Sequence, residues 1–308
     1  MLRFIAVTLC VAVAISVATQ VRPAVKPRPR SKAALTDFTV IMQRLWDLDV
    51  NGMSAATMRL ALQGRTNSTS KLDEAPQRLF AYVNETFLLS RPTVLAFIAV
   101  SNNYEPRIGT AERETAQEQA EINAFLNAVC DTEVMKATLA FLQEQKQPFP
   151  TMAALKAHLK SIWFTLYPRS KNPANVIDSS GFEHVFLGEA KKTNVIGGLH
   201  NWIHAYRLEK TNILNYTGYV NSVTVLEPGR FIFGARLWAY NNYWKNPFSS
   251  FIFGASPEFD LASYTICFTL RPNKNCPFRI NNKSLSIRTM RYMPNLNYVD
   301  TAYPDVPF

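Results

Sequence analysis

The sequence predicts an α+β protein in which a helical N-terminal part precedes antiparallel β-sheets. Apolar residues recur at helical spacing up to about residue 160, and short stretches rich in Val, Ile, Phe and Tyr follow. Strands and helices do not alternate regularly, which argues against a parallel sheet. With 47% hydrophobic and 18% charged residues, the chain can bury a large core.

Residues 1–20 have the composition of a secretory signal peptide. Arg3 precedes a predominantly apolar, uncharged run from Phe4 to Val17, and small and polar residues follow it. This run is shorter than the roughly 20 apolar residues of a membrane helix, and no other stretch approaches that length. We therefore expect a secreted, extracellular protein without a transmembrane segment.

Residues 21–33 are predicted to form an extended basic linker, because they contain five cations, three prolines and no acid. Together with Arg3, these cations account for six of the formal +10 charges and leave about +4 for the rest of the chain. The predicted folded domain, residues 34–308, is therefore mildly basic. That balance allows an RNA partner without demanding one.

The helical part of this domain is predicted over about residues 34–160. Its two clearest patterns of apolar residues are Phe38, Ile41, Met42, Leu45 and Leu48, then Phe125, Val129, Val134, Leu139 and Phe141. Between them, EPRIGTAERETAQEQAE opens a charged helical face. We expect this part to form a helical base.

The β-rich part is predicted over about residues 161–308. Its strand candidates are GFEHVFLGE, YTGYVNSVTVLEPGRFIFGARLWAY, SSFIFGASPEFDLASYTICFTL and LSIRTMRY. One helix, LHNWIHAYRLEK, interrupts them, and SPEFDLASY is compatible with a short second one. In GFEHVFLGE a period of two places Glu183 and His184 on opposite faces, so the two side chains are not expected in the same pocket.

Cysteines and sequons fit an oxidising compartment. Cys267 and Cys276 flank a stretch that reads as strand, turn and strand, which makes a disulfide across a hairpin plausible. Cys130 lies in a helical apolar pattern and is predicted to be a buried thiol rather than a nucleophile. Four Asn-x-Ser/Thr sequons are candidate glycosylation sites: Asn67, Asn84, Asn215 and Asn282.

Three of the four histidines, His184, His200 and His204, are close together in the sequence. Two facing imidazoles can accept and return a proton near neutral pH, as acid and base in one displacement. His200 and His204 lie four apart on one face of the predicted helix, but Asn201 stands where a zinc peptidase requires Glu. Spacing alone leaves catalytic and structural roles open, and for His204 it favours a hydrogen-bonded helix histidine.

Five motifs follow one another in the order found in the EndoU family of uridylate-directed endoribonucleases: DSSGFEHVFLGE, GGLHNWIHAYRLEK, GASPEFDLASYTICFTLRP, IRTMRY and TAYP. The resemblance extends into the helical part through LWDLDVN, YVNETFLLSRPT and IWFTLYPRS, and covers about Leu35 to Phe308. It implies a helical N-terminal part, antiparallel sheets flanking a groove, and a site of two histidines and one lysine.

Position by position, the resemblance assigns the catalytic roles to His184, His200 and Lys245. His200 would take the proton of the RNA 2′-hydroxyl, His184 would protonate the departing 5′-oxygen, and Lys245 would stabilise the charge on the phosphate oxygens. Animal members of the family are commonly manganese-dependent, which implies Mn²⁺ as cofactor. Glu183 and Glu189 are the candidate metal-linked residues, with strand pairing and loop capping as the competing interpretation.

The resemblance also assigns substrate-binding roles. Ser249 or Ser250 falls where a serine helps to recognise uracil, and Tyr303 matches a tyrosine that packs near the base or ribose. Two departures from the family pattern, His204 in place of a common glutamine and the Trp238–Trp244 segment, bear on substrate preference.

The sequence therefore predicts a secreted, monomeric endoribonuclease that cuts single-stranded RNA at uridylates and leaves 2′,3′-cyclic phosphate and 5′-hydroxyl ends. DNA lacks the attacking 2′-hydroxyl and is not expected to be cut. The alternative is a secreted glycoprotein that binds RNA or another polyanion without catalytic activity. No Gly-x-Ser-x-Gly elbow supports a serine hydrolase.

Overall fold

The computed structural model describes residues 32–171, 175–240 and 242–306, so the predicted signal peptide and most of the predicted linker lie outside the described residues. Up to Leu159 the described chain forms six α-helices and two short strands: α1 (Lys32–Asp47), β1 (Met58–Leu60), β2 (Phe80–Val83), α2 (Glu85–Leu89), α3 (Pro92–Val100), α4 (Ala116–Cys130), α5 (Glu133–Glu144) and α6 (Met152–Leu159).

Side-chain caps mark where α4 and α5 begin. The Thr115 hydroxyl accepts a hydrogen bond from the Glu118 amide, and the Glu118 carboxylate accepts one from the Thr115 amide, which starts α4 with a capping box. Thr132 caps α5 in the same region of the chain by accepting from the Met135 amide. The apolar pattern from Phe125 to Phe141 therefore belongs to two successive helices.

The second half contains most of the strands. Its elements are two π-helical segments (Lys160–Phe164 and Glu183–Leu187), β3 (Glu189–Lys191), β4 (Val195–Gly197), α7 (Trp202–Lys210), β5 (Leu214–Glu227), β6 (Arg230–Ala239), β7 (Tyr243–Lys245), β8 (Ser249–Phe253), α8 (Pro257–Leu270), β9 (Asn275–Ile280), β10 (Lys283–Arg291) and β11 (Val299–Pro304).

The main sheet has the strand order β3-β4-β7-β6-β5, and β8 pairs with the first part of β6. A second sheet has the order β11-β10-β9, and β1 pairs with β2. The predicted α+β class with antiparallel sheets is confirmed. One pairing differs, because β4 and β7 run parallel and place Ile196 beside Lys245.

A buried helix replaces one of the predicted strands. The TICFTL run forms the C-terminal half of α8, which packs against α1, α3, α5, β10 and β11. This run is apolar apart from its two threonines and lies in a helix that is covered on all sides, so it lacks the helical period that would distinguish it from a strand. The Cys267–Cys276 disulfide forms, with 5.7 Å between the Cα atoms, but it joins α8 to β9 rather than bridging a hairpin.

Cys130, the third cysteine within the described residues, and the four sequons lie in different parts of the fold. Cys130 is a free, buried thiol, as predicted. Asn67 and Asn282 are exposed, whereas Asn84 caps α2 and Asn215 lies in β5. Among the described residues, no helix combines the length and the apolarity that a membrane span requires.

Candidate active site

Main-chain hydrogen bonds hold the two central histidines beside each other. The amide of Leu199 donates to the His184 carbonyl at 3.0 Å, and the amide of His200 donates to the Val185 carbonyl at 2.7 Å. Gly198 permits this approach, since its φ is +64° and a Cβ there would lie 1.6 Å from the His184 carbonyl oxygen. Any side chain at position 198 would push the two segments apart.

The segment that carries His184 is helical, so the predicted strand GFEHVFLGE is wrong. Phe182 and Phe186 lie on the same side of the π-helical segment and stack with their ring centroids 4.9 Å apart. Phe164 stacks on Phe182 at 4.6 Å and extends this buried aromatic cluster. Because the cluster fixes the π-helical segment in the core, it also fixes the direction of the His184 side chain.

Lys245 approaches from the parallel pairing of β7 with β4. The Arg236 guanidinium donates hydrogen bonds to the carbonyls of Lys245 and Pro247 and holds the chain beyond β7 in place. As a result, His184, His200 and Lys245 line a single cavity of about 320 Å³. The structure therefore brings together the three residues that sequence analysis selected as catalytic.

Two of the predicted substrate-binding residues line the same cavity. Ser250 and Tyr303 are among its lining residues, and the Tyr303 ring stacks on the His200 imidazole with centroids 5.3 Å apart. Ser249 instead donates its hydroxyl hydrogen to the Leu199 carbonyl. The choice that the sequence left open between the two serines therefore favours Ser250 as the residue that meets a ligand.

The His200 imidazole has a defined tautomer. Its Nδ1 lies 2.9 Å from the Ser250 carbonyl oxygen, and because a carbonyl only accepts, Nδ1 carries the hydrogen. Burial lowers the pKa of His200 well below its ordinary value, and the nearby Lys245 ammonium lowers it further. His200 is therefore a neutral imidazole whose Nε2 carries a lone pair, which is the state of a general base.

His184 has an anionic partner. Its Nδ1 lies 2.7 Å from the Glu189 carboxylate. Burial and Arg169 lower the pKa of His184 to about 4, whereas the Glu189 carboxylate opposes that change. Of the two imidazoles, His184 is the one with a carboxylate placed to stabilise its protonated form.

A buried network that sequence analysis missed supports Glu189. The Arg169 Nε lies 3.3 Å from the Glu189 carboxylate, and its Nη1 lies 2.7 Å from the Asp300 carboxylate. Ser179 donates its hydroxyl hydrogen to Glu189 as well. Although burial favours the neutral acid, Arg169, His184 and Ser179 hold the pKa of Glu189 at about 2. The carboxylate is therefore an anion whose main countercharge is Arg169.

The Lys245 ammonium is poised near neutral pH. Burial and then repulsion from Lys191 lower its pKa to about 7, against the opposing effect of the Glu189 carboxylate. Within the described part of the chain, no side chain forms an ion pair or hydrogen bond with this ammonium. The Lys245 ammonium is thus available to pair with an anion that binds in the cavity.

The residues around the cavity do not fit the metal site that the resemblance implies. Both oxygens of Glu189 are engaged by His184, Ser179 and Arg169. Burial, reinforced by Glu189, raises the pKa of Glu183 well above its ordinary range, so this carboxyl is a neutral acid. Across residues 32–171, 175–240 and 242–306, no group of three or more His, Cys, Asp and Glu side chains could hold a metal ion.

His204 lies outside this cavity. His200 precedes the N-cap of α7, Asn201, so the two histidines do not share a helix face as predicted. The expectation of a hydrogen-bonded helix histidine is also wrong, because neither ring nitrogen of the buried His204 has a hydrogen-bond partner among the residues that the structure describes.

Comparisons with known proteins agree with the geometry. The family model described as "Endoribonuclease XendoU" matches residues 37–304. This chain belongs to the XendoU endoribonuclease family. Among XendoU relatives, the "Poly(U)-specific endoribonuclease" of Xenopus tropicalis is 36% identical over 89% of this chain and 95% of its own length. The "Uridylate-specific endoribonuclease B" of Danio rerio is 34% identical over 87% of this chain and 95% of its own length.

The XendoU fold is also shared. A solved structure described as "XendoU: a splicing independent snoRNA processing endoribonuclease" superposes with a TM-score of 0.74 and 35% sequence identity. The superposed region covers 88% of this chain and 97% of the chain in the solved structure. The family resemblance on which the sequence-based site assignment depends is thereby confirmed.

Proposed function

We propose that this chain is a secreted endoribonuclease that cuts single-stranded RNA at uridylates through the His184, His200 and Lys245 site. The observation that supports the proposal best is the shared cavity, in which two imidazoles with different hydrogen-bond partners face a lysine. A protein that only binds RNA needs no such pair. The names of the relatives, poly(U)-specific and uridylate-specific endoribonucleases, support the choice of base.

The proposed reaction is an in-line displacement at phosphorus. The Nε2 lone pair of His200 takes the proton of the 2′-hydroxyl, and the 2′-oxygen forms a bond to phosphorus as the bond to the 5′-oxygen breaks. His184 gives a proton to the 5′-oxygen. The products are a 2′,3′-cyclic phosphate and a 5′-hydroxyl, and His184 and His200 then exchange a proton with water to restart the cycle.

His184 acquires the proton it donates when RNA binds. A phosphodiester is an anion, and an anion close to an imidazole raises the pKa of that imidazole. Glu189 adds to this effect through Nδ1. Lys245 places its positive charge near the non-bridging oxygens, where charge grows in the transition state.

Base recognition is proposed for Ser250 and Tyr303. The Ser250 hydroxyl can both donate and accept hydrogen bonds, which suits the edge of uracil, and the Tyr303 ring beside His200 provides a surface for the base or ribose. The described residues provide no ligand set for Mn²⁺. The proposed reaction therefore assigns no step to this ion, and the assay is run with and without it.

The test uses a 2′-O-methyl oligonucleotide that contains one ribouridine, with and without Mn²⁺. We expect cleavage at that position alone, a cyclic phosphate end, and no cleavage when deoxyuridine replaces ribouridine. His200→Ala should slow cleavage by about 10²–10⁴-fold. The matched control His158→Ala changes a histidine that packs against Phe149 outside the cavity, and it should retain activity. Binding without cleavage under every condition would favour the polyanion-binding alternative.

Export is the second part of the proposal. The signal peptide predicted at residues 1–20 lies outside the described residues, and the Cys267–Cys276 disulfide fits an oxidising compartment. After expression in animal cells, we expect the protein in the medium with an N-terminus close to residue 21. Retention inside the cells with Met1 intact would contradict export.

A further inference from the structure

A second cleft, of about 550 Å³, lies between α7 and the α2–α3 region. It shares none of its lining residues with the catalytic cavity. Its volume falls within the range of about 300–1,000 Å³ that is usual for small-molecule sites. Aliphatic side chains form much of its wall: Leu88, Leu89, Ile98, Leu208 and Ile213.

An unsatisfied imidazole lines this apolar cleft. His204 is 8% exposed, and within the described part of the chain neither Nδ1 nor Nε2 has a hydrogen-bond partner. Burial, reinforced by Arg207, lowers the pKa of His204 to about 3, so the imidazole is neutral and offers one N–H donor and one acceptor. Native proteins leave few buried polar groups without a partner, and because protein covers both ring nitrogens, His204 meets a ligand in the cleft only when its ring turns towards it.

The cleft also has an unneutralised positive charge. Arg207 lies one helical turn after His204 on α7 and is half-buried in the cleft wall. Glu85 is the carboxylate of the wall, but it already accepts hydrogen bonds from the Tyr206 hydroxyl and the Lys210 ammonium. Among the described residues, none forms an ion pair or hydrogen bond with the Arg207 guanidinium.

We propose that this cleft is a binding site for a small amphipathic carboxylate. The apolar body of the ligand packs against the aliphatic walls, while its carboxylate pairs with Arg207. A turn of the His204 ring towards the cleft lets that carboxylate accept a hydrogen bond from the imidazole. An inorganic anion would leave the aliphatic walls unused. A neutral apolar molecule would leave both His204 and Arg207 without a partner.

Calorimetric titration of the full chain with octanoate, in the absence of RNA, tests the proposal. Octanol and acetate are the comparison probes, because octanol lacks the carboxylate and acetate lacks the apolar body. We expect octanoate to bind more tightly than either by about tenfold or more, which is the usual effect of one charge-assisted hydrogen bond. Equal binding of octanoate and octanol would overturn the proposal, and so would the absence of octanoate binding at millimolar concentration.

Variants identify the residues responsible. Arg207→Gln should weaken octanoate binding by about tenfold or more, and His204→Phe should also weaken it while keeping the site apolar. The control Arg44→Gln removes an exposed arginine of α1 outside the cleft and should bind octanoate like the wild-type chain. Wild-type affinity in Arg207→Gln would refute the assignment. Because Arg207 lies outside the catalytic cavity, RNA cleavage by this variant without octanoate reports separately on the proposed nuclease.

Discussion

Replacement of Glu189 by Gln removes one negative charge from the buried network beside the catalytic cavity and keeps the side-chain shape. The carboxylate is fully buried, 2.7 Å from Nδ1 of His184 and 3.3 Å from Nε of Arg169. Burial opposes its ionisation, yet Arg169 and His184 lower its pKa from 4.5 to about 2. At about 1.4 kcal/mol per pKa unit, the ionised carboxylate contributes about 3 kcal/mol to the free energy of unfolding.

The pH dependence of this contribution has a definite sign. A carboxyl whose pKa is lower in the folded state stabilises the fold above its unfolded pKa and loses that effect as it becomes protonated. The Glu189 contribution should therefore be complete above about pH 4.5 and should disappear as the pH falls towards about 2. The Gln variant lacks this titration because its amide stays neutral.

Urea unfolding of the wild-type chain and Glu189→Gln at several pH values between 3 and 7 provides the measurement. We expect the variant to be about 3 kcal/mol less stable at pH 7 and the difference to narrow below about pH 4.5. Glu144→Gln, at an exposed position of α5, is the matched control and should change stability little. If the difference in free energy of unfolding between the two proteins were the same at pH 3 and pH 7, the conclusion that buried Glu189 is ionised would be refuted.

Three further predictions concern the lysine, the glycine turn and the disulfide. Since the pKa of Lys245 is about 7, kcat/KM for RNA cleavage should fall more steeply above pH 7 than the deprotonation of His184 alone requires, and Lys245→Arg should remove that added steepness. An unchanged alkaline limb in pH profiles of the variant would contradict this. Gly198→Ala should impair both thermal stability and cleavage, because the new Cβ would lie 1.6 Å from the His184 carbonyl oxygen. Wild-type activity in Gly198→Ala would be inconsistent with the close approach. The double change Cys267→Ser and Cys276→Ser opens a loop of sequence separation 9 and should cost about 2–3 kcal/mol in urea unfolding, with no further loss on adding reductant.

Sequence periodicity predicted the elements that have one buried face. Phe38, Ile41, Met42 and Leu45 lie on the buried face of α1. The long β5–β6 hairpin was predicted instead from its content of Val, Ile, Phe and Tyr on either side of a Pro-Gly turn. Periodicity failed where an element is buried on all sides. The π-helical segment at Glu183–Leu187 and the C-terminal half of α8 are short or fully covered, so their apolar runs read equally well as strands.

The three central residues of the site were predicted from a series of motifs that occur in the same order in the family. Spacing alone did not decide whether the histidines are catalytic or structural. Arg169 lies within IWFTLYPRS, one of the motifs of the resemblance, but the sequence did not indicate a role for it at the site. Its importance arises only when the fold brings Glu189 and Asp300, which are distant from it in sequence, to the same guanidinium. The choice between Ser249 and Ser250 also required the structure, because adjacent residues of a strand point in opposite directions and the sequence did not establish which one faces the cavity.

A single-ribouridine oligonucleotide with sulfur in place of the bridging 5′-oxygen measures the roles of the two histidines directly. A thiolate leaves phosphorus without needing a proton, so this substrate bypasses the general acid. We expect His184→Ala to cut it nearly as fast as the wild-type chain does, and His200→Ala to remain slower by about 10²–10⁴-fold. Equal rescue of both variants, or rescue of neither, would contradict His200 as the base and His184 as the acid.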